Sequence, residues 1–182
     1  MTRYVAFLRA INVAGQKLIK MDELARIFTA AGFKNARTYI QSGNVIFDAT
    51  SANAVGLSKK IGRTLEDVLG FEVTVILMPL EVIEEIVKRN PFKKIKTDAE
   101  AVPYVVFLSE EPQRTPKLPL ISITENLDVF AVRDRTAFIV ARRKKNGSSG
   151  FPNKFVEKEL GVLGTTRNWN TVNKILKAAE KT

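Results

Sequence analysis

Hydrophobic and polar positions along this chain switch repeatedly between the period of a strand and the period of a helix. Tyr4–Arg9 opens as a short apolar run, closed by a cation, and predicts a first strand. Ile11–Lys20 follows as a polar loop containing Asn12 and Gly15. Leu24, Ile27, Phe28 and Ala31 then recur at i, i+3, i+4 and i+7, which predicts a helix from about Met21 with Gly32 as its stop. Ala36–Gln41 and Val45–Asp48 read as strands around a Ser42-Gly43-Asn44 turn, where glycine supplies positive φ. Leu57, Ile61, Leu65 and Val68 line one face of a second helix, from about Asn53 to Leu69, closed by Gly70. Glu72–Met78 is a further strand. Pro79 starts a third helix carrying Val82, Ile83, Ile86 and Val87, and Asn90-Pro91 ends it.

The order β-α-β-β-α-β is the split-βαβ, ferredoxin-like pattern of an antiparallel sheet with two helices on one face. The second half begins the same unit again. Tyr4-Val5-Ala6-Phe7-Leu8 is echoed by Tyr104-Val105-Val106-Phe107-Leu108, and Leu65–Gly70 by Val156–Gly161. Two strands, Leu127–Val132 and Thr136–Ala141, lie between these landmarks, joined by a tight turn at Arg133-Asp134-Arg135. The copy is imperfect. Pro112, Pro116 and Pro119 occupy the place of the first helix, so a loop or one irregular turn is expected there. The last strand shortens to Val162–Thr165. A terminal helix runs from about Asn168 to Glu180, with Trp169, Val172, Leu176 and Ala179 on its apolar face. The fold class is therefore α+β, with two related ferredoxin-like halves and a C-terminal helix. Residues 1–90 form the first half, 91–101 a linker and 102–182 the second half.

Charge adds a bias that the pattern lacks. The 182 residues carry 29 Lys+Arg and 19 Asp+Glu, a net +10. Residues 1–90 hold 12 basic and 9 acidic residues, and residues 91–182 hold 17 and 10, so the surplus is +3 against +7. Much of it sits in Lys93–Lys96 and in the basic, glycine/serine-rich run Arg142–Gly150. The chain has neither cysteine nor histidine, which excludes disulfides, thiolate nucleophiles, imidazole bases and Cys- or His-ligated metal sites. Acid–base chemistry is left to Asp, Glu, Lys or Tyr, and no EF-hand or paired-carboxylate spacing is visible. No apolar run approaches the length of a membrane span, and the N-terminus lacks a signal-peptide core, so a cytoplasmic protein is expected.

Three polar groups are candidates for function. The basic loop leads into Phe151-Pro152-Asn153-Lys154. There a helix N-terminus and Lys154 could together meet a phosphate, although the Walker spacing is absent and a solvated loop accounts for the same residues. Thr165–Thr171 contains threonines suited to capping the last helix. Arg167 in its first turn would oppose the helix dipole, which suggests a carboxylate or anion partner; Trp169 reads as a core anchor and the asparagines as caps. The third group spans Arg9, Asn12, Lys20, Arg37, Tyr39, Gln41, Ser42 and Asn44. By the two-residue period Arg37, Tyr39 and Gln41 share one strand face. A basic, aromatic row on an open sheet face is how RNA-recognition domains stack bases, but their aromatic-rich motif is missing and the face could instead be buried.

Tyr4–Val13 with Ile19-Lys20-Met21, Arg37–Val45 and Thr166–Val172 together resemble the signatures of the domain of unknown function 1697 family. Ala10 and Ala14 stand where that family usually has glycine, and Asn153 where it has serine before the lysine matched by Lys154. The resemblance implies a small bacterial cytoplasmic protein of ferredoxin-like α+β repeats and implies no established activity. The leading expectation is a non-catalytic binder of a nucleotide, phosphorylated metabolite or nucleic acid in a cleft between the halves, with no cofactor or metal. Arg9, Lys20, Arg37, Lys154 and Arg167 would neutralise charge, Asn12, Ser42, Asn44 and Asn168 would orient the ligand, and Trp169 would pack or stack. An enzyme acting on a phosphorylated or carboxylated small molecule, and a structural or partner-binding module, are the alternatives.

Overall fold

The computed structural model describes residues 1–12, 18–51, 53–95, 101–114, 116–143, 150 and 152–181. Among them the chain is a mixed α+β protein of two antiparallel sheets and five helices, the last of them C-terminal. Its contacts divide it into two compact units, Met1–Glu85 with Lys174–Thr182, and Ile86–Asn173.

The first unit contains β1 (Thr2–Leu8), α1 (Met21–Ala30), β2 (Lys34–Thr38), β3 (Asn44–Ala49), α2 (Ala54–Leu69) and β4 (Val75–Pro79). α3 (Leu80–Arg89) begins in it. The sheet order is β2-β3-β1-β4, with every neighbouring pair antiparallel. Strand alternation sends Tyr4, Ala6 and Leu8 to one face, with Phe47 opposite Tyr4, Val45 opposite Ala6 and Ala49 opposite Thr2 in register. That face packs with Leu24, Ile27 and Phe28 of α1 and Leu57, Ile61 and Leu65 of α2. Phe47 is the hinge of this core, its ring 4.7 Å from Phe33 and 5.3 Å from Phe28. The other face carries Val5, Phe7, Ile46, Ile76 and Met78, which are also buried. α2 starts on Asn53, whose side chain accepts from the Gly56 amide, and stops at Gly70 in the left-handed region.

The second unit contains β5 (Ala101–Leu108), β6 (Leu120–Ser122), β7 (Leu127–Arg133), β8 (Thr136–Arg142), α4 (Pro152–Leu160) and β9 (Gly164–Asn168). The start of α5 (Trp169–Glu180) also belongs to it. Its sheet runs β6-β7-β8-β5-β9. Val106, Leu108, Val129, Ala137, Ile139 and Ala141 face Val156 and Leu160 of α4 in one core. The β7–β8 turn is Asp134-Arg135, both at positive φ (50° and 57°), as a two-residue hairpin turn demands. Arg135 compensates for lacking glycine's freedom by donating to the carbonyls of Leu108 and Ser109.

Several local expectations change: β4 begins at Val75 rather than Glu72 and includes Pro79, which therefore does not start α3, and Val68 is exposed rather than on the buried face of α2. The second strand ends at Thr38 rather than Gln41, because Ile40 turns to positive φ and the Tyr39 amide bonds the Asn44 carbonyl across the turn. Arg37, Tyr39 and Gln41 therefore do not form one row on a strand. The proline-rich segment contains no helix among its described residues, as anticipated, but adds the edge strand β6, which its prolines had hidden. The final strand is longer than Val162–Thr165 and includes Arg167 and Asn168, so Arg167 is a strand residue and not part of a helix's first turn.

Candidate functional site

The candidates of the first unit gather mostly at one end of its sheet. β1 ends at Leu8, whose amide donates to the Gly43 carbonyl, and the Arg9 amide donates to Thr74. Asn12, in the left-handed region, then staples the loop that follows. Its Nδ2 donates to the carbonyls of Ile19 (3.0 Å) and Gln41 (3.2 Å), and its Oδ1 accepts from the Ile19 amide (2.8 Å). Asn44 is fully buried and donates to the Tyr39 carbonyl and to Ser42 Oγ. Lys20 is exposed at the start of α1, where its carbonyl accepts from Leu24. These amides close turns by satisfying backbone groups that would otherwise be stranded.

Arg37 is directed elsewhere. Its guanidinium donates to the carbonyls of Ala178 and Ala179, in the last turn of α5. Arg3 joins it there: one nitrogen reaches the Ala179 carbonyl at 2.7 Å, while Nε and Nη2 grip both oxygens of Asp48 at 2.7 and 3.1 Å. Asn35 donates to Asp48 as well, at 2.7 Å. Two guanidinium groups thus cap the negative end of a helix dipole. The bond from Arg3, helped by Asn35, holds the Asp48 carboxyl below its ordinary range against the opposing effect of burial. Sequence reading missed Arg3, Asn35 and Asp48. The available signal was one charge of each sign on neighbouring, otherwise apolar strands.

In the second unit, Arg167 is 7% exposed and donates to Thr165 Oγ1 and the Thr166 carbonyl, each at 2.9 Å. Burial pulls its pKa down to about 10, still high enough to keep the cation at neutral pH. Thr166 Oγ1 bonds Asn153 Oδ1 in the first turn of α4, and the Gly164 amide bonds Glu157 Oε1, so two polar links seat α4 on β9. Lys154, next to Asn153, is exposed, and that first turn contains no acidic residue. Asn168 Oδ1 accepts from the Asn170 amide at the start of α5, and the Trp169 ring packs 5.1 Å from Phe92. The basic run at residues 144–149, Phe151, and the family position Ala14 lie outside the described residues. Among the described residues no cluster of acidic side chains could hold a metal ion, and no helix is long and apolar enough to cross a membrane.

The family model described as "Protein of unknown function (DUF1697)" matches residues 1–138, and the chain belongs to that family. No curated protein matches it. Among solved structures it is similar to the conserved bacterial protein SP0830 from Streptococcus pneumoniae, at 23% identity and a TM-score of 0.70 over 100% of this chain and 99% of that one. At that identity the likeness concerns the fold.

Proposed function

We propose that this protein is a non-catalytic, cytoplasmic binder of an anionic ligand, of the nucleotide, phosphorylated-metabolite or nucleic-acid class. The carrying observation is the first turn of α4. It presents Lys154 to solvent at the positive end of a helix dipole with no carboxylate in that turn, on the chain's more basic half. Arg167 is linked to that turn by two hydrogen bonds, through the Thr166 carbonyl and from Thr166 Oγ1 to Asn153, and adds a retained positive charge. Titration with ATP and with a short single-stranded RNA, at low and at raised salt, tests this. Saturable binding that weakens with salt is expected, about tenfold weaker in Lys154→Glu. Absence of binding at low salt overturns the reading.

A structural role is favoured for Asn12, Arg37, Ser42 and Asn44, whose side-chain bonds lie within the first unit. Asn12→Ala is expected to lower stability by about 1–3 kcal/mol, because it leaves the part-buried amide and carbonyl of Ile19 without their side-chain partner. It should leave anion affinity unchanged, which paired urea melts and titrations would check.

We also read the architecture as a ferredoxin-like unit followed by a modified copy, with 91–101 joining residues 1–90 to 102–182. The order β2-β3-β1-β4 supports the first assignment. The order β7-β8-β5-β9, with β6 added outside β7 where the first unit has α1, supports the second.

A further inference from the structure

The second unit has a pocket that none of the sequence motifs anticipates. It measures about 240 Å³ and is walled by Ile86, Pro91, Phe130, Ala131 and Phe138, with Arg89, Arg133 and Asp134 also lining it. Its origin is a backbone irregularity. Val129 pairs with Ile139 and Ala131 with Phe138, so Phe130 is an extra residue, a β-bulge in β7. Simple alternation would send Phe130 and Ala131 to opposite faces. The bulge instead turns both consecutive side chains toward the face of Phe138, where the Phe130 ring meets Phe92 at 5.5 Å and Phe138 at 6.3 Å. Phe130 remains half-exposed while the rings behind it are buried. An aromatic wall is thereby kept open to solvent.

Charge at this pocket selects among occupants. Arg89 and Asp134 pair at 3.4 Å. Arg133 is exposed at the end of β7, and its guanidinium has no hydrogen bond or ion pair among the described residues. Arg89 engages Asp134, so Arg133 is the lining cation that can meet an anionic group of a ligand. A planar guanidinium also matches a carboxylate in a two-point geometry. The volume, below that of a drug-sized site, fits a single ring. The geometry points to a binding site for a small, flat aromatic carboxylate, its ring against Phe130 and Phe138 and its carboxylate on Arg133. This goes beyond anion capture at α4, and it uses different residues.

Benzoate is the probe. Trp169, the chain's one tryptophan, packs on Phe92, which packs on Phe130, so its emission reports from beside the pocket. Ligand-observed NMR gives the affinity independently. Benzoate should bind saturably with a Kd of about 1 mM, a fair strength for so few atoms. Arg133→Ala, at an exposed position, should weaken it about tenfold. Ala131→Leu, which fills the pocket, should abolish it. Acetate and benzyl alcohol, each lacking one half of the pattern, should bind at least tenfold less well. Lys154→Glu should leave benzoate binding intact, which separates this result from the fate of the α4 reading. Equal binding by Arg133→Ala, acetate binding as well as benzoate, phenyl phosphate binding more tightly than benzoate, loss of binding in Lys154→Glu, or no saturation would each overturn the assignment.

Discussion

Asp48→Ala is expected to destabilise the protein by about 2–3 kcal/mol, the cost of removing the charged acceptor from a part-buried pair. The Asp48 side chain is 10% exposed and holds Arg3 through both oxygens, so the substitution removes the charged partner of a part-buried guanidinium that keeps only weaker acceptors such as the Ala179 carbonyl. It also loosens the grip of Arg3 on the Ala179 carbonyl, so the end of α5 should lose amide-exchange protection together with β1 and β3. The same group gives acid sensitivity a definite sign. The Asp48 carboxyl is held below its ordinary value, mainly by the bond from Arg3. Its contribution to stability is therefore complete above the unfolded carboxyl value of about pH 4 and disappears as pH falls through the lower folded value. Urea midpoints of the wild type should fall as pH drops below about 4, and those of Asp48→Ala should fall less.

Gly43→Ala is expected to cost about 2–4 kcal/mol, combining left-handed backbone strain with overpacking. Gly43 has a φ of +68°, and an added Cβ would lie 3.0 Å from Leu8 Cβ and 3.3 Å from Ile11 Cβ. Both neighbours are buried, and Leu8 is tied to Gly43 by a backbone hydrogen bond, so neither can retreat cheaply. Gly32→Ala is the control. Its φ is +89°, but the added Cβ meets nothing within 4 Å, so only the conformational part, about 1–2 kcal/mol, should appear. Equal losses at the two positions, measured by urea unfolding, would show that close packing at the β2–β3 turn contributes nothing.

The helices were legible because each buries a stripe at 3.6-residue spacing: Leu24, Ile27 and Phe28 in α1, and Leu57, Ile61 and Leu65 in α2. The strands β1 and β5 were legible as apolar runs buried on both faces. Strand ends were less so. Whether Tyr39 continues β2 depends on the amide of Asn44, five residues later, and whether Arg167 lies in a strand depends on its pairing with Val105. Neither leaves a periodic trace. The candidate residues divide in the same way. Residue type identified Asn12 and Asn44 as special but could not tell a backbone staple from a ligand contact, because both use the same amide. The bulge at Phe130 was invisible, since an extra residue in an apolar strand changes direction without changing composition.

Anion capture at the first turn of α4 is tested most directly by following backbone amide resonances while ATP is added at low salt. Saturable shifts centred on Asn153, Lys154 and Thr166, absent in Lys154→Glu, are the predicted result. Shifts spread over surface lysines such as Lys59, Lys88 and Lys177 that grow linearly without saturating, or no shifts at all, would contradict it.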